Sequence, residues 1–365
     1  MIAWIVGPKS RFNTGVAKYS FELIDGLTDI SEINVNTIYY EDNGKPNSLK
    51  RYIWQFISLP FNTLVKYNKY DLVVYQEAFS FLTFFRFLSR KKTMVIIHHV
   101  PESNDRSLKG MYLKFIFSAL RLSKSVCYIT PSDFTKESLS EKYGIHKENI
   151  FEIPNIIKEN TPKDKLMEMV LPLNEEQAFI SKIKEYKSKG YVVVSNVGSF
   201  ESRKNVSILP ELVAKAMTET GPILLVKVGV AIDNIREDEF IQECKKNNIT
   251  YMLFGSSSNE MINYIYGLTD VYLAPSTYEG FGRTVVEAQA NSSIVIASDI
   301  DAHREITNGS AVLVKDINNV EAWKAELVKI LKLNKNDRDE LKLSGVINSQ
   351  RFSTENVINK LVRIL

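Results

Sequence analysis

Glu279 and Glu287 stand with seven residues between them in the run Ala274-Pro-Ser-Thr-Tyr-Glu-Gly-Phe-Gly-Arg-Thr-Val-Val-Glu-Ala-Gln-Ala290. The pattern reads as a strand ending near Ala274, a glycine-containing turn, and a helix from about Thr284. Gly280 and Gly282 let backbone N–H groups approach a ligand closely. A helix N-terminus adds partial positive charge, suited to a diphosphate or an electron-rich sugar. Glu279 in the turn and Glu287 in the first helical turn could accept hydrogen bonds from hydroxyl groups at the two ends of one ligand. The same residues also fit a plain helix start, with Thr284 and Glu287 as a capping box and Glu279 in a solvated loop.

A second run, Ser195-Asn-Val-Gly-Ser-Phe-Glu-Ser-Arg-Lys-Asn205, follows the apolar stretch Tyr191–Val194. Gly198 permits close backbone approach, and Arg203 and Lys204 supply charge just beyond it. A departing diphosphate needs such charge. The plainer reading is a basic surface turn with Asn205 starting a helix. Asn13-Thr-Gly-Val-Ala-Lys-Tyr19 places Gly15 in a turn after the first strand, entering a helix. Ile96-Ile-His-His-Val-Pro101 places His98 at a strand end, where a histidine alone is ordinarily structural or solvated. Thr130-Pro-Ser-Asp-Phe-Thr-Lys136 reads as a helix start and is followed by Ile153-Pro-Asn155.

Positioning these residues takes two domains. A chain of 365 residues exceeds one ordinary core. Short apolar runs at Ile2–Val6, Ile33–Tyr39, Leu72–Tyr75, Met94–Ile97, Val126–Ile129 and Ile150–Ile153 read as buried parallel strands. Helix-like segments such as Ala17–Leu27 and Met111–Leu122 lie between them. A second series follows at Tyr191–Val197, Ile223–Val230, Thr250–Phe254, Val271–Ala274, Ile294–Ala297 and Ala311–Val314. The expected organisation is a doubly wound α/β domain over 1–157, a linker over 158–189 that carries Pro162 and Pro172, a second such domain over 190–348, and a C-terminal helix within 349–365 that packs back on the first domain. Ligands of such sheets bind beyond the carboxyl ends of the strands, so the reaction is expected in a cleft where two sheets face each other.

Composition narrows the class. A net charge of +3 argues against a dedicated nucleic-acid binder. Cys127 and Cys244 lack the spacing of a zinc or redox motif and point to a reducing compartment. His98, His99, His146 and His303 form no metal-ligand pattern with them. The apolar start stops at Gly7-Pro8-Lys9, too short for a secretory signal, and Phe79–Leu88 is too short and polar to span a bilayer. A cytoplasmic protein, able to touch the membrane face from that side, is expected.

Taken together and in order, these motifs resemble the retaining GT-B glycosyltransferases of family four. The similarity runs from about Ile5 to Val314 and includes Ala297-Ser-Asp-Ile-Asp-Ala-His-Arg-Glu305 after the glutamate helix. The resemblance implies a GT-B fold of two Rossmann-like domains. It implies a catalytic set of Glu279, His98, Arg203 and Lys204, with Glu279 on the transferred sugar, Arg203 and Lys204 on the diphosphate, and His98 near the reacting sugar. It implies a donor site of Gly15, Gly198, Ser199, Arg203, Lys204, Gly280, Phe281, Gly282, Arg283, Thr284 and Glu287, with Glu287 on the ribose. Thr14-Gly15 stands for the family's double glycine, Ser199 for a common arginine, Arg283-Thr284 for a common Leu-Pro, and Ile156 for a usual glycine.

The implied reaction moves a hexose-type sugar from a UDP- or GDP-sugar to a glycan or lipid-linked acceptor, without a metal cofactor. Asp299-Ile-Asp301 could be mistaken for a metal-binding D-x-D, but Arg203 and Lys204 already supply the charge, and the aspartates more simply shape a loop. Asp337-Arg-Asp339 reads as a helix start. A carboxylate pair flanking an anomeric carbon, as a glycosidase needs, is not evident. The rival readings are a non-catalytic GT-B-like binding protein and a nucleotide-sugar epimerase or phosphorylase on the same fold. Leu49–Ile57 and Leu108–Phe117 mix basic, aromatic and aliphatic residues. Either they are core helices with basic outer faces, or they form an interfacial patch for a lipid-linked acceptor.

Overall fold

Among the described residues, twelve strands form where the twelve apolar runs lie. The computed structural model describes residues 1–12, 14–45, 48–86, 92–98, 100, 108–120, 126–158, 175–231 and 234–365. Asn13, His99, Pro101, Arg121, Leu122, Pro162, Pro172 and residues 159–174 of the expected linker lie outside them.

The chain divides into two units, Met1–Ile156 with Thr354–Leu365, and Ile157–Ser353. The first holds β1 (Ile2–Pro8), β2 (Val35–Tyr40), β3 (Leu72–Gln76), β4 (Lys92–Ile96), β5 (Val126–Thr130) and β6 (Ile150–Glu152) in the order β2-β1-β3-β4-β5-β6. The second holds β7 (Val192–Val197), β8 (Ile223–Val228), β9 (Thr250–Phe254), β10 (Val271–Ala274), β11 (Ile294–Ser298) and β12 (Val312–Val314) in the order β12-β11-β10-β7-β8-β9. All strand pairs are parallel. Both units are Rossmann-like. Residues 175–188, expected within the linker, instead form a helix of the second unit, with Ile180 and Ile183 buried.

Parallel strands must be covered on both faces, and alternation does this here. Along β1, Ala3 and Ile5 enter one core, while Ile2, Trp4 and Val6 enter another. Along β8, Leu224, Val226 and Val228 face one core, and Ile223 and Leu225 the opposite one. Each strand order reverses once, between β1 and β3 in the first unit and between β7 and β10 in the second. Loops leaving the carboxyl ends of two strands at such a reversal diverge to opposite faces and leave a crevice.

The helix Gly15–Ser31 starts on Thr14, whose hydroxyl accepts from the Ala17 N–H at 3.4 Å. The chain returns to the first unit through the helix Thr354–Val362, which buries Val357, Ile358 and Leu361. It rests where Gly26 has no side chain: a Cβ there would stand 2.6 Å from Ile358 Cγ1 and 2.7 Å from Ile358 Cδ1. Gly26→Ala is therefore expected to destabilise the first unit by about 1–3 kcal/mol through overpacking. Gly255→Ala, where a Cβ meets nothing within 4 Å, is the control. Denaturant unfolding checks both, and an unchanged midpoint for Gly26→Ala contradicts the contact.

Candidate active site

The reversal between β7 and β10 brings together the two runs that carry chemistry. After β7 the chain turns at Gly198 (φ +146), makes a 3-10 turn over Ser202–Lys204, and puts Asn205 in the left-handed region at φ 48. Asn205 is also the N-cap of a second 3-10 turn, Val206–Ile208, which runs straight into the helix from Leu209, so it starts a helix as its position suggests. After β10 the loop Pro275–Gly282 leads into the helix Arg283–Ala290. The Thr277 N–H donates to the Arg203 carbonyl at 2.7 Å and ties the two loops.

Glu279 sits at the centre. Its Oε2 accepts from Arg203 Nη1 at 2.9 Å, and its Oε1 accepts from Lys204 Nζ at 2.6 Å and from the Ser276 hydroxyl at 2.8 Å. Arg203 Nε donates to Glu201 at 2.8 Å, and the Ser199 hydroxyl donates to Glu201 at 2.6 Å. Glu279 is buried, so it is not a solvated loop residue. Burial alone would push its carboxyl up. The charges of Lys204 and Arg203, with hydrogen bonds from Lys204 and Ser276, outweigh that and hold it below the usual carboxylate range.

Glu287 lies further into the helix than the sequence suggests. The helix begins at Arg283, and its N-cap is Gly282 (φ +95) with no side-chain cap. Thr284 is thus inside the first turn, Glu287 is past it, and no capping box forms. Glu287 instead accepts from Arg283 Nε at 2.6 Å and from the Tyr266 hydroxyl at 3.2 Å. A Cβ on Gly282 would stand 2.8 Å from Ile306 Cδ1 and 3.1 Å from His303 Cδ2. Gly282 is required there on both counts, conformation and space. Phe281 packs its ring against Phe352 at 5.4 Å, which leaves its backbone to the loop.

The remaining candidates belong to the first unit. Gly15 opens its helix with nothing within 4 Å of where a Cβ would stand. His98 is buried, its ring edge-on to Tyr19 at 4.9 Å, and its backbone N–H donates to Glu77 at 3.2 Å. In the second unit, the aspartates that could be mistaken for a metal motif, Asp299 and Asp301, both accept from Arg304, at 2.5 and 2.7 Å. Asn334 caps the helix Lys335–Ser349 through the Asp337 N–H at 3.0 Å.

Three residues of the second unit were not singled out from sequence. Ser276 completes the Glu279 cluster. His303, buried, directs Nδ1 to the Ser298 carbonyl at 2.9 Å and presents its other ring edge to Gly282. Lys227, on β8, is fully buried, and its amine reaches the Gly198 carbonyl. The last carried a visible signal, a lysine in the alternation of a central strand.

The segment 49–65 packs into the core of the first unit through Leu59 and Trp54 and leaves other apolar residues outside. It runs as a helix over Leu49–Ile53, a π-turn over Trp54–Ser58 and a helix over Leu59–Val65. Polar Gln55 is buried, whereas Leu49, Ile57, Phe61 and Val65 are each more than 60% exposed. On the helix Leu108–Leu120, Met111 and Phe115 are likewise exposed. Gln55 and Tyr112 both donate to the Ala78 carbonyl, at 3.3 Å each, so the two segments flank one point. No helix among the described residues is long and apolar enough to cross a membrane.

Comparison with known proteins agrees with this geometry. The family described as glycosyl transferases group 1 matches residues 177–344, and that described as glycosyltransferase family 4 matches residues 15–160. O-antigen chain mannosyltransferase B of Escherichia coli is 27% identical over 177 residues, 48% of this chain and 45% of that protein. Alpha-galactosylglucosyldiacylglycerol synthase of Streptococcus pneumoniae is 23% identical over 224 residues, 59% of this chain and 56% of that protein. The chain thus aligns with about half the length of these two relatives. The crystal structure of Anabaena HepE in complex with UDP and glucose superposes with a TM-score of 0.75 at 15% identity, over 100% of this chain and 99% of that one. A glycosyltransferase family model thus matches each half of the chain, and the two Rossmann-like units have the GT-B fold.

Proposed function

We propose that this enzyme moves a hexose-type sugar from a UDP- or GDP-sugar to a glycan or lipid-linked acceptor in the synthesis of surface polysaccharide or glycoconjugate, with retention of anomeric configuration. The observation that carries the reading is the buried Glu279 carboxylate shared by Arg203 and Lys204 at the strand reversal. In the free protein that carboxylate holds both cations in place. A donor diphosphate takes over part of their charge, and Glu279 then turns its free lone pairs to sugar hydroxyls. Glu287, one side of the same loop, takes the ribose, and the backbone N–H groups of Gly280–Gly282 face the phosphates.

The nucleoside diphosphate departs as an anion stabilised by Arg203, Lys204 and the helix start at Gly282–Thr284. The acceptor hydroxyl attacks from the same face, and the departing phosphate oxygen takes its proton. The cations do the work a metal ion would do, so the reaction is proposed to need none. Glu279 is ionised through the neutral range: its folded value lies below the ordinary carboxylate value of about 4.3, so its contribution to stability is lost only as pH falls through that lower value.

The exposed surface of the first unit suits an acceptor held at a bilayer. Residues 48–70 carry Lys50, Arg51, Lys66 and Lys69 and no acidic residue, beside the exposed aromatic and aliphatic side chains. Apolar groups that enter the headgroup region, ringed by cations, match an anionic membrane face. The relative named as a glycosyldiacylglycerol synthase is consistent with that acceptor class.

Replacing Arg203 or Lys204 by methionine is expected to weaken nucleoside diphosphate binding by about 1.5–3 kcal/mol and to leave nucleoside binding unchanged, because only the diphosphate carries the anion. Calorimetric titration of both ligands checks this, and equal weakening of both assigns the cations to loop shape alone. Glu279→Ala and Glu287→Ala are each expected to lower kcat/KM by about ten- to a hundredfold with the fold retained, while excess chelator leaves the parent enzyme unaffected. Transfer assays with melting curves read all three, and near-full activity of both variants removes the glutamates from the site. Ile57→Ser with Phe61→Ser is expected to abolish co-sedimentation with vesicles rich in anionic lipid and to spare diphosphate binding. Retention of vesicle binding by this double variant contradicts the membrane face.

A further inference from the structure

β8 buries an ionisable group where its pattern calls for a hydrophobe. Ile223 and Leu225 point into one core, and Lys227 is the next residue on that face. Its side chain is fully buried. In register beside it stand Asn196 on β7 and Leu253 on β9, neither charged. The amine donates to the Gly198 carbonyl and, at 3.1 Å, to the Val228 carbonyl, and lies 4.4 Å from the centroid of the Phe200 ring. Among the described residues no carboxylate stands within ion-pair distance of it. A lysine buried without a carboxylate is expensive in its charged form, and packing alone would be served by leucine or methionine.

The place it reaches explains its presence. Gly198 is the first residue of the turn that carries Arg203 and Lys204, and Lys204 Nζ lies 3.9 Å from where a Gly198 Cβ would stand. Gly229 leaves room for the same carbonyl, since a Cβ there would lie 1.8 Å from Gly198 O. The carbonyl that Lys227 holds therefore fixes the lower edge of the cationic pair.

We propose that Lys227 is a positioning residue of the diphosphate site: its buried amine fixes the Gly198 turn beneath Lys204 and Arg203, and it takes a proton from solvent when a nucleoside diphosphate occupies that site. This rests on the donor-site reading above. A neutral amine has two N–H groups, enough for the two carbonyls. Protonation adds a third N–H and a charge that faces the Phe200 ring. Burial, and then the charge of Lys204, push this lysine down to about 7, with Glu237 opposing weakly. An arriving diphosphate neutralises Lys204 and adds negative charge nearby, which favours the ammonium.

The sign of the stability effect is fixed by the same arrangement. The folded value lies below the unfolded one of 10.5, so the unfolded chain binds more protons between about pH 7 and 10. Stability therefore rises with pH across that window, and the penalty is complete below it. Lys227→Met is expected to melt higher than the parent protein at pH 6 and to lose that slope. A residue that only filled space would shift melting without a pH-dependent part.

The decisive experiment titrates UDP and GDP into the whole 365-residue chain at pH 8, above the second ionisation of a phosphate at about 6, in buffers of different ionisation enthalpy. The parent protein is expected to take up about half a proton or more per diphosphate and none with the nucleoside, and its affinity is expected to fall with rising pH by up to about tenfold per unit. Lys227→Met is expected to take up none and to bind with a flat pH profile. Equal uptake by parent and variant overturns the assignment, as does diphosphate binding by the parent without uptake. That second outcome needs no variant, so the proposal stays open to refutation even if Lys227→Met fails to fold. If neither diphosphate binds the parent at all, the donor-site reading itself fails and this proposal falls with it.

Discussion

A carboxylate shared by two cations is the interaction around which the second unit is arranged. Glu279 could not be buried alone, because an unpaired carboxylate in a partly dry site would be forced to protonate. Arg203 and Lys204 could not be held close together without an anion between them. Each group makes the other admissible, and the Ser276 hydroxyl takes up a further lone pair. Such a cluster contributes little net stability. On the donor-site reading proposed above, its value is that the cations are already oriented, so a phosphate that displaces part of the carboxylate would meet charge that needs little reorganisation.

The sheet determines that these groups meet. Arg203 and Lys204 follow β7, and Glu279 follows β10, and the two strands are more than seventy residues apart in the chain. They are neighbours because the strand order reverses between them. Beyond that point the loops are held to each other by the Thr277 N–H on the Arg203 carbonyl, and the helix Arg283–Ala290 starts on a glycine whose Cβ would meet His303 and Ile306. Lys227 supports the same loop from inside the sheet. Arg203, Lys204 and Glu279 are thus backed by polar contacts between loops as well as by each loop's own backbone.

Much of this was legible in the residues. The twelve strands of the described residues announce themselves as short runs rich in apolar and β-branched residues, because parallel strands are buried on both faces, and polar residues such as Asn36 in β2 and Lys227 in β8 interrupt them too rarely to hide the pattern. Glu279, Arg203 and Lys204 were legible too, as charged residues beside glycines at strand ends. The helix start at Gly282 was not. Thr284 and Glu287 match a capping box in type and spacing, and only the left-handed conformation of Gly282 shows that the helix begins earlier. Asn205 was read as a helix start and is one, and its left-handed conformation lets it end the turn Ser202–Lys204 and open the turn Val206–Ile208 at once. His303 and Ser276 gain their positions from contacts between loops distant in sequence, which no local pattern encodes. The stretch 49–65 reads alike as a core or an interfacial helix from composition, and the structure gives it both characters, with Leu59 buried in the core and Ile57 and Phe61 exposed.

The two units handle polarity in opposite ways, and the contrast bears on function. In the second unit, charged and polar groups are drawn inward: Glu279, His303 and Lys227 are all buried, each with a named partner. In the first, apolar groups are left outside, along 49–65 and at Met111 and Phe115. Neither arrangement is what folding stability alone would select, since buried charge and exposed hydrophobes both work against it. The inward charges suit a small, multiply charged ligand that must be stripped of water. The outward hydrophobes, with basic residues around them, suit a partner that is itself apolar below an anionic surface. The two kinds of surface lie on separate units, as the proposed transfer from a water-soluble nucleotide sugar to a lipid-linked acceptor would require.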